Sequence, residues 1–124
     1  MRVNLWLAIA AINGALAVAA GAFAGHGLKV DPHALGLFEI GARYHMYHAL
    51  ALGLSALAMR TDAASRARIS AWLFLVGIVL FSGSLYMLAL TGVQAFVYVT
   101  PLGGLAFLGG WLALVWAGLR LKPQ

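Results

Sequence analysis

The feature that most limits the fold of this chain is a run of 51 residues, from Ile69 to Leu119, that contains no Asp, Glu, Lys or Arg. A second uncharged run extends from Val3 to Leu28. Soluble domains carry roughly a quarter charged residues, whereas 9% of these 124 residues are charged and 64% are hydrophobic. Because about 20 apolar residues can cross a bilayer as a helix, the two runs predict an integral membrane protein and exclude a soluble globular one.

The apolar segments predict an all-α integral membrane four-helix bundle that forms a single domain over residues 1–124. We expect spanning helices at residues 4–23, 35–59, 69–90 and 101–119. Thr100 and Pro101 resemble an N-cap followed by proline at the first helical position. Residues 93–99 fit a loop, a re-entrant segment or the start of a kinked fourth helix. A cleaved signal peptide would also explain the first run, but its length favours a retained helix.

Six basic residues set the expected orientation. They fall on the N-terminus, the middle loop and the C-terminus, whereas the other two loops hold only Lys29; the six are Arg2, Arg60, Arg66, Arg68, Arg120 and Lys122. By the positive-inside rule both termini are cytoplasmic. We interpret these residues as topology signals, so we expect the lipid bilayer as partner and no nucleic acid.

Alternating helix directions bring most polar side chains of the spans to the outer half of the bilayer. At about 1.5 Å per residue, His48 on the second helix and Ser82 on the third lie at a similar depth. We therefore predict a polar, ligand-binding cluster in the outer half that consists of His26, Glu39, Arg43, Tyr44, His48, Ser82, Ser84, Tyr86 and Thr100.

Each part of this cluster also has a structural interpretation. Glu39 and Arg43 are four residues apart, which favours an ion pair within the second helix; an anion contact or a proton carrier is the alternative. For His48 we expect a hydrogen bond to Ser82 or Tyr86, because buried polar groups are paired. Metal binding by a set drawn from His26, His45 and His48, or haem ligation by two of them, is the alternative. We expect no cofactor.

Glycines are expected to let the helices approach closely, because small residues drive helix association in lipid. Gly21 and Gly25 form a small-xxx-small step on the first helix. The fourth helix carries Gly103, Gly104, Gly109 and Gly110.

Four segments, in this order, resemble the YgdD-like family of small membrane proteins of unknown function. They are Gly21-Ala22-Phe23-Ala24-Gly25-His26-Gly27-Leu28, Tyr44-His45-Met46-Tyr47-His48-Ala49-Leu50-Ala51-Leu52, Phe81-Ser82-Gly83-Ser84-Leu85-Tyr86 and Thr100-Pro101-Leu102-Gly103-Gly104. The family pattern has Ala-His-Gly at Gly25-His26-Gly27 and usually Gln at His45, so the resemblance implies that His45 is not an essential ligand. It also implies a four-span fold and a bacterial inner-membrane location.

The sequence contains no phosphate-binding loop, no Gly-x-Ser-x-Gly elbow and no helical His-Glu-x-x-His motif, which favours a protein that is not an enzyme. We expect a non-enzymatic accessory, scaffold or small-ligand-binding protein of the inner membrane, as a homo-oligomer or within a larger membrane complex. The alternatives are a small transporter or channel subunit, and a His-ligated metal or haem protein.

Overall fold

A computed structural model describes residues 4–122, which form four helical rods. The first is α1, Leu5–His26, and the second is α2, Pro32–Ala58. The third is continuous and consists of α3, Ala64–Gly77, a π-helical segment, Ile78–Ser82, and α4, Gly83–Thr91. The fourth consists of a short 3-10 helix, Gln94–Tyr98, followed by α5, Thr100–Gly118. The described part of the chain contains no strand, so the predicted all-α class is confirmed.

Short side chains at the helix ends explain where the rods begin. The Asn4 side chain accepts a hydrogen bond from the Leu7 amide at 3.0 Å. The Asp31 carboxylate accepts one from the Ala34 amide at 2.9 Å, so α2 begins at Pro32, three residues before the predicted start. The third rod begins at Ala64 instead of residue 69, because the connection from α2 closes within residues 59–63.

The connection between the third and fourth rods resolves the open question about residues 93–99. Gly92, at φ 71°, ends α4 in the left-handed conformation that glycine adopts without strain. The chain then turns into the 3-10 helix. Thr100 is the first residue of α5 and its hydroxyl lies 3.2 Å from the carbonyl of Phe96, a residue that precedes the helix, so the predicted N-cap role of Thr100 is wrong.

The four rods pack in chain order, with α1 along α2, α2 against α3, the π segment and α4, and α5 against α3. The interior holds mainly alanines with a few large side chains, including Leu52, Phe74 and Phe107. Many leucines, valines and tryptophans face outward instead. Small residues inside and large apolar residues outside are typical of helices that associate in lipid.

Within residues 4–122, three helices are long and apolar enough to cross a membrane by length and composition: Leu5–His26, Ala64–Thr91 and Gln94–Gly118. Their mean hydropathies are 2.0, 2.3 and 1.6. The α2 helix has 27 residues but does not belong to this set. Its segment from Glu39 to His48 carries two charges, two tyrosines and two histidines, which lower its hydropathy.

Glycines of the third and fourth rods permit close contact, as expected, but those of α1 do not. A Cβ atom on Gly110 would lie 2.6 Å from the Phe74 ring, and one on Gly103 would lie 2.7 Å from the Phe81 Cα atom. By contrast, nothing lies within 4 Å of the Cβ position on Gly21 or Gly25. The predicted packing role of these two glycines is therefore wrong within the chain, because α2 leaves that part of α1 uncovered.

Arg66, Arg120 and the start of α1 lie at one end of the bundle. The Arg66 guanidinium donates to the backbone carbonyl of Trp116 at 2.8 Å, and it lies 4.4 Å from the centre of the Trp116 ring. Arg120 donates to the backbone carbonyl of Asp62 at 3.1 Å. The start of α1 is at the same end, because the rings of Trp6 and Trp72 meet at 5.0 Å.

Candidate functional site

His45 links three rods through two side-chain hydrogen bonds. Its Nε2 atom lies 2.9 Å from the side-chain oxygen of Asn13 on α1, and its Nδ1 atom lies 3.0 Å from the hydroxyl of Tyr86 on α4. The Asn13 amide nitrogen donates to the carbonyl of Ile9, so its oxygen must accept. His45 therefore donates from Nε2 and accepts the Tyr86 proton at Nδ1 as a neutral imidazole.

His48 makes a different set of contacts from those predicted. Its Nδ1 atom donates to the carbonyl of Tyr44 at 2.7 Å, and its Nε2 atom accepts from the indole of Trp111 at 3.2 Å. Its ring lies parallel to Phe107, with 3.4 Å between ring centres. The predicted bond from His48 to Ser82 or Tyr86 is therefore wrong. The Tyr86 hydroxyl bonds to His45, and the Ser82 hydroxyl bonds to the carbonyl of Gly41.

These bonds leave the buried histidines without a nitrogen lone pair for a metal ion. A metal ligand needs a free ring nitrogen, but both nitrogens of His45 and both of His48 are engaged. His26 is exposed at the end of α1. Between residues 4 and 122, no three His, Asp or Glu side chains form a group that could hold a metal ion. The alternative in which His26, His45 and His48 share a metal is not supported.

Three hydroxyl groups of the predicted cluster hold helices together. The fully buried Ser82, at the end of the π segment, donates to the carbonyl of Gly41 on α2 at 2.7 Å. The Ser84 hydroxyl lies 2.6 Å from that of Thr100 and joins α4 to α5. Ser84 also donates to the carbonyl of Phe81. The acceptors of both serines are backbone carbonyls, which do not act as the general base that activates a serine nucleophile.

The two charges of the cluster lie apart from the histidines, on the outer surface of α2. Glu39 and Arg43 line a shallow hollow of about 350 Å³ together with residues of α1. Among residues 4–122 neither side chain makes an ion pair within 4.0 Å, so the ion pair predicted between them is not formed. The cluster expected from the sequence is thus divided over several sides of the bundle.

A hollow lies at the end of the bundle that is opposite Arg66 and Arg120. We call it the end cavity, with a volume of about 590 Å³. Side chains of α2, α4, the 3-10 helix and α5 line it; they include Asp31, His33, Leu37, Phe81, Leu85, Leu88, Gln94, Val97 and Thr100. The walls are apolar, and the polar side chains come mainly from the helix ends. Thr100 is the only residue of the predicted cluster that lines it.

A second hollow, which we call the aromatic groove, opens between α2 and α5. It has a volume of about 380 Å³ and is lined by Tyr44, Tyr47, His48, Phe81, Gly104, Phe107, Leu108 and Trp111. Phe81 lies between Tyr44 and Phe107, with ring centres 5.0 and 5.3 Å away. Since Phe81 also lines the end cavity, its ring belongs to the walls of both spaces.

Sequence reasoning missed three residues that complete these arrangements: Asn13, Phe107 and Trp111. Asn13 is a polar residue in the middle of an uncharged helix, which is a signal for an interhelical hydrogen bond. Trp111 lies too far from the ends of the last apolar run to be an interface anchor, and its N–H needs an acceptor when it is within a bundle. Phe107 carries no comparable signal, since it is one of many apolar residues on α5.

Comparison with known proteins identifies the family. Residues 20–104 match the model of a family described as "Protein of unknown function (DUF423)". The chain is 42% identical to the UPF0382 membrane protein YwdK of Bacillus subtilis over 94% of this chain and 98% of that protein. It is 39% identical to the UPF0382 inner membrane protein YgdD of Escherichia coli K12 over 100% of this chain and 96% of that protein.

A third relative, a UPF0382 membrane protein of Haemophilus influenzae, is 40% identical over 96% of this chain and 97% of its own length. No solved structure matches the chain significantly. The names of the three relatives agree with the spanning-length helices described above, and none of them states an activity or a cofactor. The family match covers most of the chain and confirms the resemblance found in the sequence. This chain is a member of the DUF423 family, whose relatives are UPF0382 membrane proteins of unknown function.

Proposed function

We propose that this protein is a four-span, single-domain protein of the bacterial inner membrane that takes a small amphiphile from the bilayer into the end cavity and performs no chemistry on it. The single observation that carries the proposal is the cavity itself. Its volume of about 590 Å³ falls within the range of about 300–1,000 Å³ that is usual for small-molecule sites. Polar side chains at one side and apolar walls fit an amphiphile.

The lining of the end cavity suggests how an amphiphile would lie. Leu37, Leu85 and Leu88 supply an apolar wall, whereas Asp31 and His33 come from the first residues of α2 and its N-cap. An apolar tail would lie against the leucines, and a polar group would face Asp31 and His33. The bond between Ser84 and Thr100 holds α4 and α5 together beside this space.

A binding role without catalysis is supported by the polar groups of the interior. The nitrogens of both buried histidines are engaged, and Ser82 and Ser84 donate to backbone carbonyls. A nucleophilic or general-base mechanism requires a side chain with a free lone pair next to the reacting group. The hydrogen-bonded groups described here serve helix packing instead.

Filling the end cavity is the direct test of this role. We expect Val97→Trp to reduce the amount of lipid that co-purifies with the protein, and to reduce its uptake of radiolabelled oleic acid at least severalfold, because the indole would occupy the space beside α4. Native mass spectrometry and a filter-binding assay in mild detergent measure the two effects.

The matched control is Val93→Trp, since both valines are exposed, both lie in the connection before α5 and only Val97 lines the cavity. Val93→Trp should bind like the unsubstituted protein. Equal lipid content and equal oleic acid uptake in the two variants would show that the cavity is not the binding site.

We further propose that all four rods span the bilayer and that both termini are cytoplasmic. At about 1.5 Å per residue, the 27 residues of α2 extend roughly 40 Å, which exceeds the roughly 30 Å hydrocarbon core. The α2 helix also packs along two neighbours of spanning length. Arg66 and Arg120 lie at one end of the bundle, where the positive-inside rule favours the cytoplasm.

Single-cysteine labelling tests this orientation cleanly, because the chain contains no cysteine. In spheroplasts, we expect a membrane-impermeant maleimide to label Lys29→Cys at once and to label Ser65→Cys only after the membrane is permeabilised. Both positions are exposed, so unequal labelling reflects the side of the membrane and not burial. The reverse pattern would place both termini outside, and labelling of both variants in sealed spheroplasts would contradict the four-span arrangement.

A further inference from the structure

The hollow that contains Glu39 and Arg43 lies along the seam between α1 and α2, away from the end cavity. Its α1 side consists of small residues, Ala17, Gly21, Ala24 and Gly25. The Cβ positions of both glycines face open space. The result is a smooth apolar strip on α1 beside one acidic and one basic side chain on α2. We call this space the Glu39–Arg43 hollow.

Neither charge of the hollow has a charged partner within residues 4–122. Each side chain is exposed, and neither forms an ion pair within 4.0 Å in the described range 4–122. An unpaired charge within a membrane span is costly, and such charges therefore usually pair with another group. A molecule with one negative and one positive group would satisfy both charges at once, without a change in net charge.

The order of the two charges along α2 restricts that molecule further. The helix starts at Pro32, so Glu39 is closer than Arg43 to the bilayer surface at that end, by about 6 Å along the axis. Side chains on a helix tilt toward its N-terminus, so the guanidinium of Arg43 also points toward this surface. The required molecule thus has its cation nearer to water and its anion deeper, whichever leaflet faces this end of α2.

We propose that the Glu39–Arg43 hollow binds phosphatidylethanolamine, with the phosphate on Arg43 and the ammonium on Glu39. In this lipid the phosphate is attached to the glycerol and the primary ammonium is at the outer end, which is the order that the two side chains require. A phosphate suits the guanidinium fork, and a primary ammonium can donate hydrogen bonds to a carboxylate. One acyl chain lies along the strip formed by Gly21 and Gly25.

This inference requires α2 to span the bilayer but does not depend on the end cavity, which has separate lining residues. A second copy of this chain is the other occupant that could pair both charges, with Glu39 of each copy facing Arg43 of the other. In such a two-fold contact each Glu39 pairs with an Arg43, so exchanging the two residues in both copies leaves the same ion pairs. A lipid has a fixed order of phosphate and ammonium, so the exchange places each of its charges beside a like charge. Exchanging the two residues therefore distinguishes the two occupants.

The test is native mass spectrometry of the full chain in mild detergent, with phosphatidylethanolamine, phosphatidylcholine and phosphatidylglycerol of identical acyl chains added in turn. We expect the unsubstituted protein to prefer phosphatidylethanolamine by about tenfold, which corresponds to about 1.4 kcal/mol. The double variant Glu39→Arg/Arg43→Glu has the same net charge and should lose the preference. Gly21→Leu should lower binding because it fills the hollow.

Arg68→Gln is the matched control, since Arg68 is exposed and lies outside the hollow; it should keep the preference. Circular dichroism and gel filtration verify that each variant is folded. Equal binding of the three lipids by the unsubstituted protein, or a preference that survives the charge exchange, would overturn the proposal. A dimer that persists in the exchanged variant and binds no phosphatidylethanolamine would assign the hollow to a second copy instead.

Discussion

Replacing Gly103 with alanine is expected to lower the free energy of unfolding by about 3 kcal/mol or to prevent folding altogether. The added Cβ atom would overlap the backbone amide of Phe81 and lie 2.7 Å from its Cα and Cβ atoms. Backbone atoms cannot turn aside as a flexible side chain can, so α5 would have to move away from the π segment. Circular dichroism during titration with sodium dodecyl sulfate measures the loss.

Gly104→Ala is the control for this substitution. Gly104 is the next residue on α5, and its Cβ position has the Phe81 Cδ2 atom, at 3.9 Å, as its nearest contact. Alanine forms helices better than glycine by about 0.5–1 kcal/mol, so Gly104→Ala should leave stability unchanged or raise it. Comparable destabilisation by both substitutions would show that α5 does not approach the third rod as described.

The second large effect is expected at His45. His45→Leu should lower the free energy of unfolding by about 2 kcal/mol, because it leaves the oxygen of Asn13 and the hydroxyl of Tyr86 without their partner. His45→Gln should cost less than about 1 kcal/mol, because an amide can also donate to one group and accept from another. The exposed His26 takes part in no such link, and His26→Leu should change stability by less than about 0.5 kcal/mol.

A double-mutant cycle with Tyr86→Phe isolates the bond between the two residues. If His45 accepts the Tyr86 proton, the double variant His45→Leu/Tyr86→Phe should be less destabilised than the sum of the single effects. The same titration with sodium dodecyl sulfate provides all four values. Strict additivity would mean that the bond contributes nothing, and a His45→Gln variant as unstable as His45→Leu would refute the bridging role.

The all-α class and the approximate helix positions could be predicted from the sequence because the charge-free runs are long and their ends carry clear signals. Gly92 ends α4 close to the predicted boundary at residue 90, whereas α2 begins at Pro32, three residues before the predicted start, because Asp31 caps it. The π segment could not be predicted, since Ile78–Ser82 reads as an ordinary apolar stretch. The π segment lies where Gly103 of α5 packs against the backbone of Phe81. This contact exists only in the folded bundle, so the sequence of the segment alone does not indicate it.

The candidate site was harder to predict because neither the axial register between two helices nor the direction of a side chain around its helix can be read from one sequence. The common depth predicted for Ser82 and His48 is wrong, because Ser82 donates to the carbonyl of Gly41, which lies about 10 Å before His48 along α2. His48 bonds to Tyr44 and Trp111 instead. The family difference at His45 suggested a dispensable residue. In the structure this histidine links three rods, and a glutamine amide could also donate to one group and accept from another.

Phe81 has a consequence for how the end cavity and the aromatic groove would respond to occupants. One face of the bundle offers the end cavity and another the aromatic groove, and this single ring is a wall of each. An occupant that pushes the ring aside from one space reduces the room in the other. By thermodynamic linkage, two such occupants would weaken each other's binding by the same factor.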